Sequence, residues 1–138
     1  MNIILIYQYF LSDDEPGHTR WNEMVKNWSK SGHRVTIISG MINYSTGKKN
    51  SKYGKKIFFK EKYYENVDVI RCHVSKSYNK NFLGRLWGYF SFIIFGLIGS
   101  LLFLKKKYDV VLVSSPPLFV GIIGLIVKKV NKIPMIFE

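Results

Sequence analysis

The run Asn2–Tyr7, with the loop that follows it down to Arg20, constrains this chain more than any other stretch. Ile3, Ile4, Leu5 and Ile6 are apolar without interruption. A strand buried on both faces reads this way, and such strands belong to parallel sheets covered by helices. The run breaks into a polar loop holding Pro16, Gly17, His18, Thr19 and Arg20. Trp21, Met24, Val25 and Trp28 then recur at the spacing of one helix face, which predicts a helix over 19–31. Gly32 stands where a left-handed helix end is expected, and Val35–Ser39 reads as a second buried strand. The unit is strand–helix–strand, with the right-handed crossover making the two strands parallel. In open α/β sheets ligands bind beyond the carboxyl ends of the strands, so a site is sought first at Pro16–Arg20.

The rest of the chain extends this alternation. Residues 43–62 carry seven lysines from Lys48 to Lys62 with Gly47 and Gly54, and read as a mobile basic loop, either a solvated surface or an anion-binding loop. Ile57–Phe59 and Val67–Val74 read as strands, the second roughly alternating, with Glu65-Asn66 turning between them. His73 is expected to be exposed or structural, because no acid or nucleophile is spaced to serve it. Asp109–Ser114 reads as another buried strand that must lie beside Asn2–Tyr7. Ser115-Pro116-Pro117 ends it, since proline cannot donate to a ladder. Leu118–Val130 reads as a helix and Pro134–Glu138 as a further strand.

Between them, Leu86–Leu104 contains no charged residue. Its length is close to the roughly 20 residues that cross a bilayer. A single crossing is incompatible with Asn2–Tyr7 and Asp109–Ser114 sharing a sheet. The segment is therefore expected to pack under the sheet or to lie in a membrane interface. Arg85, Trp87, Phe92, Phe95, Lys105, Lys106 and Lys107 are the residues expected to touch the membrane.

Charge narrows the partners. The 138 residues hold 21 Lys and Arg against 9 acids, a net +12, which implies a polyanionic neighbour, nucleic acid or an anionic membrane. The single Cys72 forms no internal disulfide and fits a reducing compartment. Asn2–Tyr7 lacks the basic flank and length of a secretion signal. No glycine-rich dinucleotide or P-loop motif, no HExxH and no CxxC occurs, so neither a cofactor nor a metal is expected. His18 and Arg20 at a helix start read equally as recognition of a phosphate or sugar hydroxyl and as a cap with a surface charge.

Gln8-Tyr9-Phe10, Pro16-Gly17-His18-Thr19-Arg20, Gly32-His33-Arg34-Val35-Thr36-Ile37-Ile38, Tyr108-Asp109-Val110-Val111, Ser114-Ser115-Pro116-Pro117-Leu118 and Pro134–Glu138 appear in an order that resembles family-4 glycosyltransferases, in particular the WbuB-like branch. The resemblance implies an α/β, Rossmann-like three-layer parallel sheet with helices on both faces, the N-terminal half of a GT-B fold. Residues 1–138 would be an incomplete acceptor-binding domain, with the donor-binding domain absent. The implied reaction moves a sugar, with retention, from a nucleotide sugar to an undecaprenyl-pyrophosphate-type acceptor in O-antigen or capsule assembly. It takes place at the cytoplasmic face of the inner membrane. The nucleotide sugar is substrate, bound mainly by the other domain, and no nucleic acid is involved. Gly17, His18 and Arg20 would line the cleft, Ser115 and Pro116 would shape its acceptor side, and Glu138 would stand at a functional strand end. The chain is expected to be inactive without a donor-binding domain, separate or fused. Two other readings stand beside it: a noncatalytic membrane-anchoring subunit of a split transferase, and a nucleic-acid module using the Lys48–Lys62 loop with Tyr53, Phe58, Phe59, Tyr63 and Tyr64 for stacking.

Overall fold

The computed structural model describes every residue except His18, Lys80, Lys105 and Lys106, together with all side chains but those four and the ones of Tyr78 and Asn79. The expectations placed on His18, Lys105 and Lys106 lie outside the described residues.

The strand–helix–strand opening folds as the alternation predicts. Strand β1 is Asn2–Ile6, helix α1 is Arg20–Lys30 and strand β2 is Arg34–Gly40. β1 and β2 pair in parallel, Ile3 opposite Val35 and Ile6 opposite Ile38. Ile4, Leu5 and Ile6 are wholly buried, each worth roughly 1.5–3 kcal/mol. α1 ends as its sequence requires: Gly32 takes φ +81° and its N–H reaches Ser29 O at 2.9 Å.

β3 (Phe58–Tyr64) and β4 (Val67–Cys72) form a hairpin turned by Asn66 in the left-handed region. β5 is Val110–Val113, α3 is Gly121–Asn131 and β6 is Met135–Phe137. The six strands lie in the order β3-β4-β2-β1-β5-β6. β1 and β5 are parallel neighbours, Ile3 beside Val110 and Ile6 beside Val113, as the sequence demanded. The sheet is α/β and Rossmann-like, but not wholly parallel: β3 runs antiparallel to β4, because a two-residue turn cannot make the crossover a parallel pair needs.

Two further expectations change. Residues 43–62 are not one irregular loop. A 3-10 turn at Ser51–Tyr53 buries Tyr53, Ile42 bridges Lys49, and Lys60 and Lys62 belong to β3. β4 does not alternate, because it lies between β2 and β3 with helices on both sides. Val67, Val69, Ile70, Arg71 and Cys72 are all buried.

The two faces of the sheet carry separate cores. α1 covers one, with Trp21 and Val25 packed on Ile3, Leu5, Val35, Ile37, Val67 and Val69. The 22-residue helix α2 (Phe82–Phe103) and α3 cover the other, with Phe92, Ile93, Ile123 and Val127 on Ile4, Ile6, Ile38 and Ile70. α2 lies against the sheet through small residues. A Cβ on Gly99 would come within 2.8 Å of Cys72 Sγ, and one on Gly84 within 2.1 Å of Ser77 O.

Candidate functional site

The carboxyl ends of β1, β2 and β5 open on one cavity of about 380 Å³, lined by Tyr7, Tyr9, Leu11, Gly17, Thr19, Tyr44, Ser45 and Pro116. The chain leaves β1 toward α1 on one side of the sheet, while β5 feeds α3 on the other. The cavity therefore sits where the winding direction switches, the place where doubly wound sheets bind ligands.

Its walls follow from local sequence. Gly17 holds φ +103°, and a Cβ there would also stand 3.3 Å from Leu11 Cδ1, so the turn entering α1 needs glycine. Asn22 fixes that turn: Oδ1 accepts from Thr19 Oγ1–H at 2.6 Å and from Thr19 N–H at 3.3 Å, while Nδ2 donates to Leu11 O at 3.0 Å. Trp21 Nε1–H donates to Ser114 Oγ at 2.9 Å and ties α1 to the end of β5. Three tyrosines form the other wall. Tyr9 meets Tyr44 at 5.0 Å and Tyr7 at 6.2 Å between ring centres, both edge-on. Burial raises the Tyr7 phenol above its ordinary value, against the pull of the nearby Arg20 charge. The cavity thus offers aromatic surface and neutral hydroxyl groups, a surface suited to the apolar faces and hydroxyls of a sugar.

The site residues read from the sequence separate into two groups. Gly17 and Pro116 line the cavity. Arg20 and Glu138 meet each other in an ion pair beside it, both more than half exposed, with the Arg20 guanidinium 5.1 Å from the Trp21 ring centre. Ser115 is half-buried and gives its N–H to Glu138 O at 2.7 Å, so it joins β5 to β6 rather than facing the cavity.

Of the residues expected at a membrane, Phe92 and Phe95 are corrected. Phe92 is wholly buried, and Phe95 packs edge-on against His73 at 5.1 Å and Phe58 at 6.3 Å. They point inward because α2 turns its glycine-bearing stripe and these rings toward the sheet. The outer face is Phe82, Leu83, Trp87, Phe90, Ile94, Ile98, Leu101 and Leu102. Arg85, Trp87 and Lys107 are exposed. α2 is long and apolar enough to cross a membrane by length and composition, yet much of it is buried against the sheet.

Sequence reasoning missed the Arg71 cluster. This guanidinium is 1 % exposed inside the α1-side core. Its Nε donates to Glu61 Oε1 at 2.7 Å, Nη2 to Ser12 Oγ at 2.7 Å, and Nη1 to Phe10 O. Lys52 joins Glu61 at 3.0 Å and Asp14 at 2.8 Å. Burial would raise the Glu61 carboxyl, but Arg71 and Lys52 overcome it and hold it below its ordinary value. The cluster anchors the Phe10–Asp14 loop behind the cavity. The available signal was a lone arginine in an apolar strand whose hairpin partner carries a glutamate. The same packing buries Tyr53 and sets Phe58 against α2, so neither ring is free to stack on a base. Cys72 is buried under Gly99, its thiol pushed up to about 12, and is chemically inert.

No protein-family model matches this chain, and no curated protein matches it. Among solved structures, the C-terminal domain of a hydrogenase from Pyrococcus furiosus aligns with a TM-score of 0.58 and 17% identity over 99% of this chain and 89% of that one. A second, described as trehalose-6-phosphate from E. coli bound with UDP-2-fluoro glucose, aligns with a TM-score of 0.48 and 12% identity over 83% of this chain and 27% of that one. The first alignment, nearly full-length on both sides, shows the shared α/β fold.

Proposed function

We propose that this chain is the acceptor-binding portion of a glycosyltransferase that moves a sugar onto a lipid-linked, undecaprenyl-pyrophosphate-type saccharide for a bacterial surface polysaccharide. The observation that carries the reading is the tyrosine-walled cavity at the β1/β5 switch point, with Gly17 and Pro116 in it, where the ordered sequence motifs converge. Among the described residues its lining holds no carboxylate and no basic side chain, which supports a neutral sugar over a nucleotide diphosphate. Donor binding is accordingly assigned to a second domain, fused or separate, and the chain alone is not expected to turn over. The bare apolar face of α2 with the net charge of +12 supports peripheral attachment to the cytoplasmic face of the inner membrane.

The test is binding of the chain to uncharged nanodiscs containing polyprenyl-diphosphate saccharide or the same lipid without sugar. The saccharide should strengthen binding, and Tyr44→Ala, at an exposed ring, should remove about tenfold of that gain. Equal binding of both lipids overturns the reading. The anchoring-subunit alternative is favoured by the same α2 face, and predicts lipid binding that ignores the saccharide.

A further inference from the structure

A second recess opens on the same end of the sheet, beyond β2 and β4. It measures about 400 Å³ and is lined by Ile42, Gly47, Lys48, Lys49, Asn50, Ser51, Gly54 and Lys76. Three lysines converge on it from two chain segments far apart in sequence. Among the described residues none of the three forms an ion pair. Lys49 is half-buried, with Nζ donating to Lys56 O at 3.0 Å, and its charge is disfavoured by burial and by Lys76. Burial of its own ring, and then the charges of Lys49 and Lys76, hold the neighbouring His73 below its ordinary pKa. Like charges gathered together cost free energy that a bound anion offsets.

The adjoining recess of about 160 Å³ shares Lys48, Lys49 and Asn50 and is lined also by Asn43, Thr46, Asp14, Glu15 and Pro16. Asn43 is 5 % exposed and its Nδ2 has no acceptor among the described residues, while its Oδ1 takes the Ser45 and Thr46 N–H groups. Of the two acids there, Asp14 pairs with Lys52 and accepts from Asn50 Nδ2, and Glu15 accepts the Ser12 N–H. Gly47 and Gly54 hold φ +60° and +51°, and the space above Gly54 is open.

Lys76 begins the 3-10 turn Lys76–Asn79, which packs on the start of α2. There the exposed apolar face begins with Phe82 and Leu83. A basic recess opening beside an apolar helix face suits an anionic group joined to hydrocarbon. We propose that Lys48, Lys49 and Lys76 bind the diphosphate of the lipid-linked acceptor, whose hydrocarbon chain lies along the outer face of α2; this rests on the acceptor reading above. The recess is large for one phosphate, and its three ammonium groups outnumber the two negative charges of a diphosphate esterified at both ends, enough to neutralise it.

The experiment measures affinity of the full chain for three probes: inorganic pyrophosphate, uridine diphosphate, and phosphatidylcholine vesicles doped with polyprenyl diphosphate. Wild type should bind pyrophosphate and the doped vesicles. Lys49→Gln with Lys76→Gln should weaken both by about 100-fold, near tenfold per lost charged contact. Lys128→Gln with Lys129→Gln on α3 should leave pyrophosphate affinity unchanged. The proposal is overturned by absence of pyrophosphate binding, by equal losses in the two double variants, or by tight uridine diphosphate binding without vesicle binding, which would make the diphosphate the donor's. Tyr44→Ala should lose the saccharide gain and keep its pyrophosphate affinity; wild-type lipid binding that ignores the saccharide, with intact pyrophosphate affinity, refutes the sugar cavity and leaves this site standing.

Discussion

The two faces of the sheet solve the same burial problem in opposite ways. On the α1 side a single amphipathic helix suffices, and the core admits charge: Arg71 lies inside it, fully bonded to Glu61, Ser12 and Phe10. On the other side α2 and α3 bring more apolar surface than the sheet can cover, and the core admits no charge among the described residues; its polar groups are hydroxyls with partners, as Ser100 Oγ donates to Gly96 O at 2.7 Å and Tyr108 OH to Thr36 Oγ1 at 3.2 Å. The first face is closed and polar at its rim, next to the tyrosine cavity. The second is closed inside and bare outside, with Phe90 and Phe119 stacked at 5.9 Å on its surface. In the function proposed above, the first face carries specificity and the second attachment.

The largest effect should come from breaking the charged core. Arg71→Met takes the guanidinium from the Phe10 carbonyl and leaves Glu61 only Lys52 as a charged partner, and should lower stability by about 3 kcal/mol in urea unfolding. The apolar face should break next, through its close approaches. Gly84→Ala forces a methyl against the Ser77 carbonyl, a backbone atom that cannot rotate aside, and should cost about 1–3 kcal/mol by the same measurement. Acid should distinguish the two cores. The Glu61 carboxyl is depressed when folded, so its contribution is complete above the ordinary value of 4.5 and is lost as pH falls through the lower folded value. Stability measured from pH 6 downward should fall for wild type, and this component should be absent in Glu61→Gln; parallel curves would refute the assignment. The smallest change in stability, within about 0.5 kcal/mol, is expected for Trp87→Ser with Leu101→Ser on the outer face of α2, although vesicle binding should drop in the same protein. A large loss of stability there would show that this surface is covered inside the folded chain.

The closed face was legible in the sequence because its residues obey one period each. The Trp21, Met24, Val25, Trp28 stripe and the Ile3–Ile6 run name their elements and their neighbours. β5 beside β1 followed from the need to bury a second apolar strand. α2 was harder. A helix apolar all round shows no preferred side, so Phe92 and Phe95 could not be told from Phe90 and Ile94. Only the glycine stripe marks the inner face, through approaches that appear in three dimensions. The Arg71 cluster was hidden for a different reason: its partners come from three separated segments, and Arg71 stands 61 positions along the chain from the Phe10 carbonyl it holds. In the cavity, Tyr44 was read as loop because its role depends on Tyr9, which precedes it on another connection.

The strand order leaves this sheet with two unlike margins. β3 borders solvent with Lys60 and Lys62 exposed along it, and such charges repel an incoming backbone. β6 is three residues long and turns Ile136 and Phe137 outward, with nothing charged among them. Within these residues backbone addition is therefore disfavoured along β3, while β6 presents an apolar surface adjacent to the Arg20–Glu138 pair.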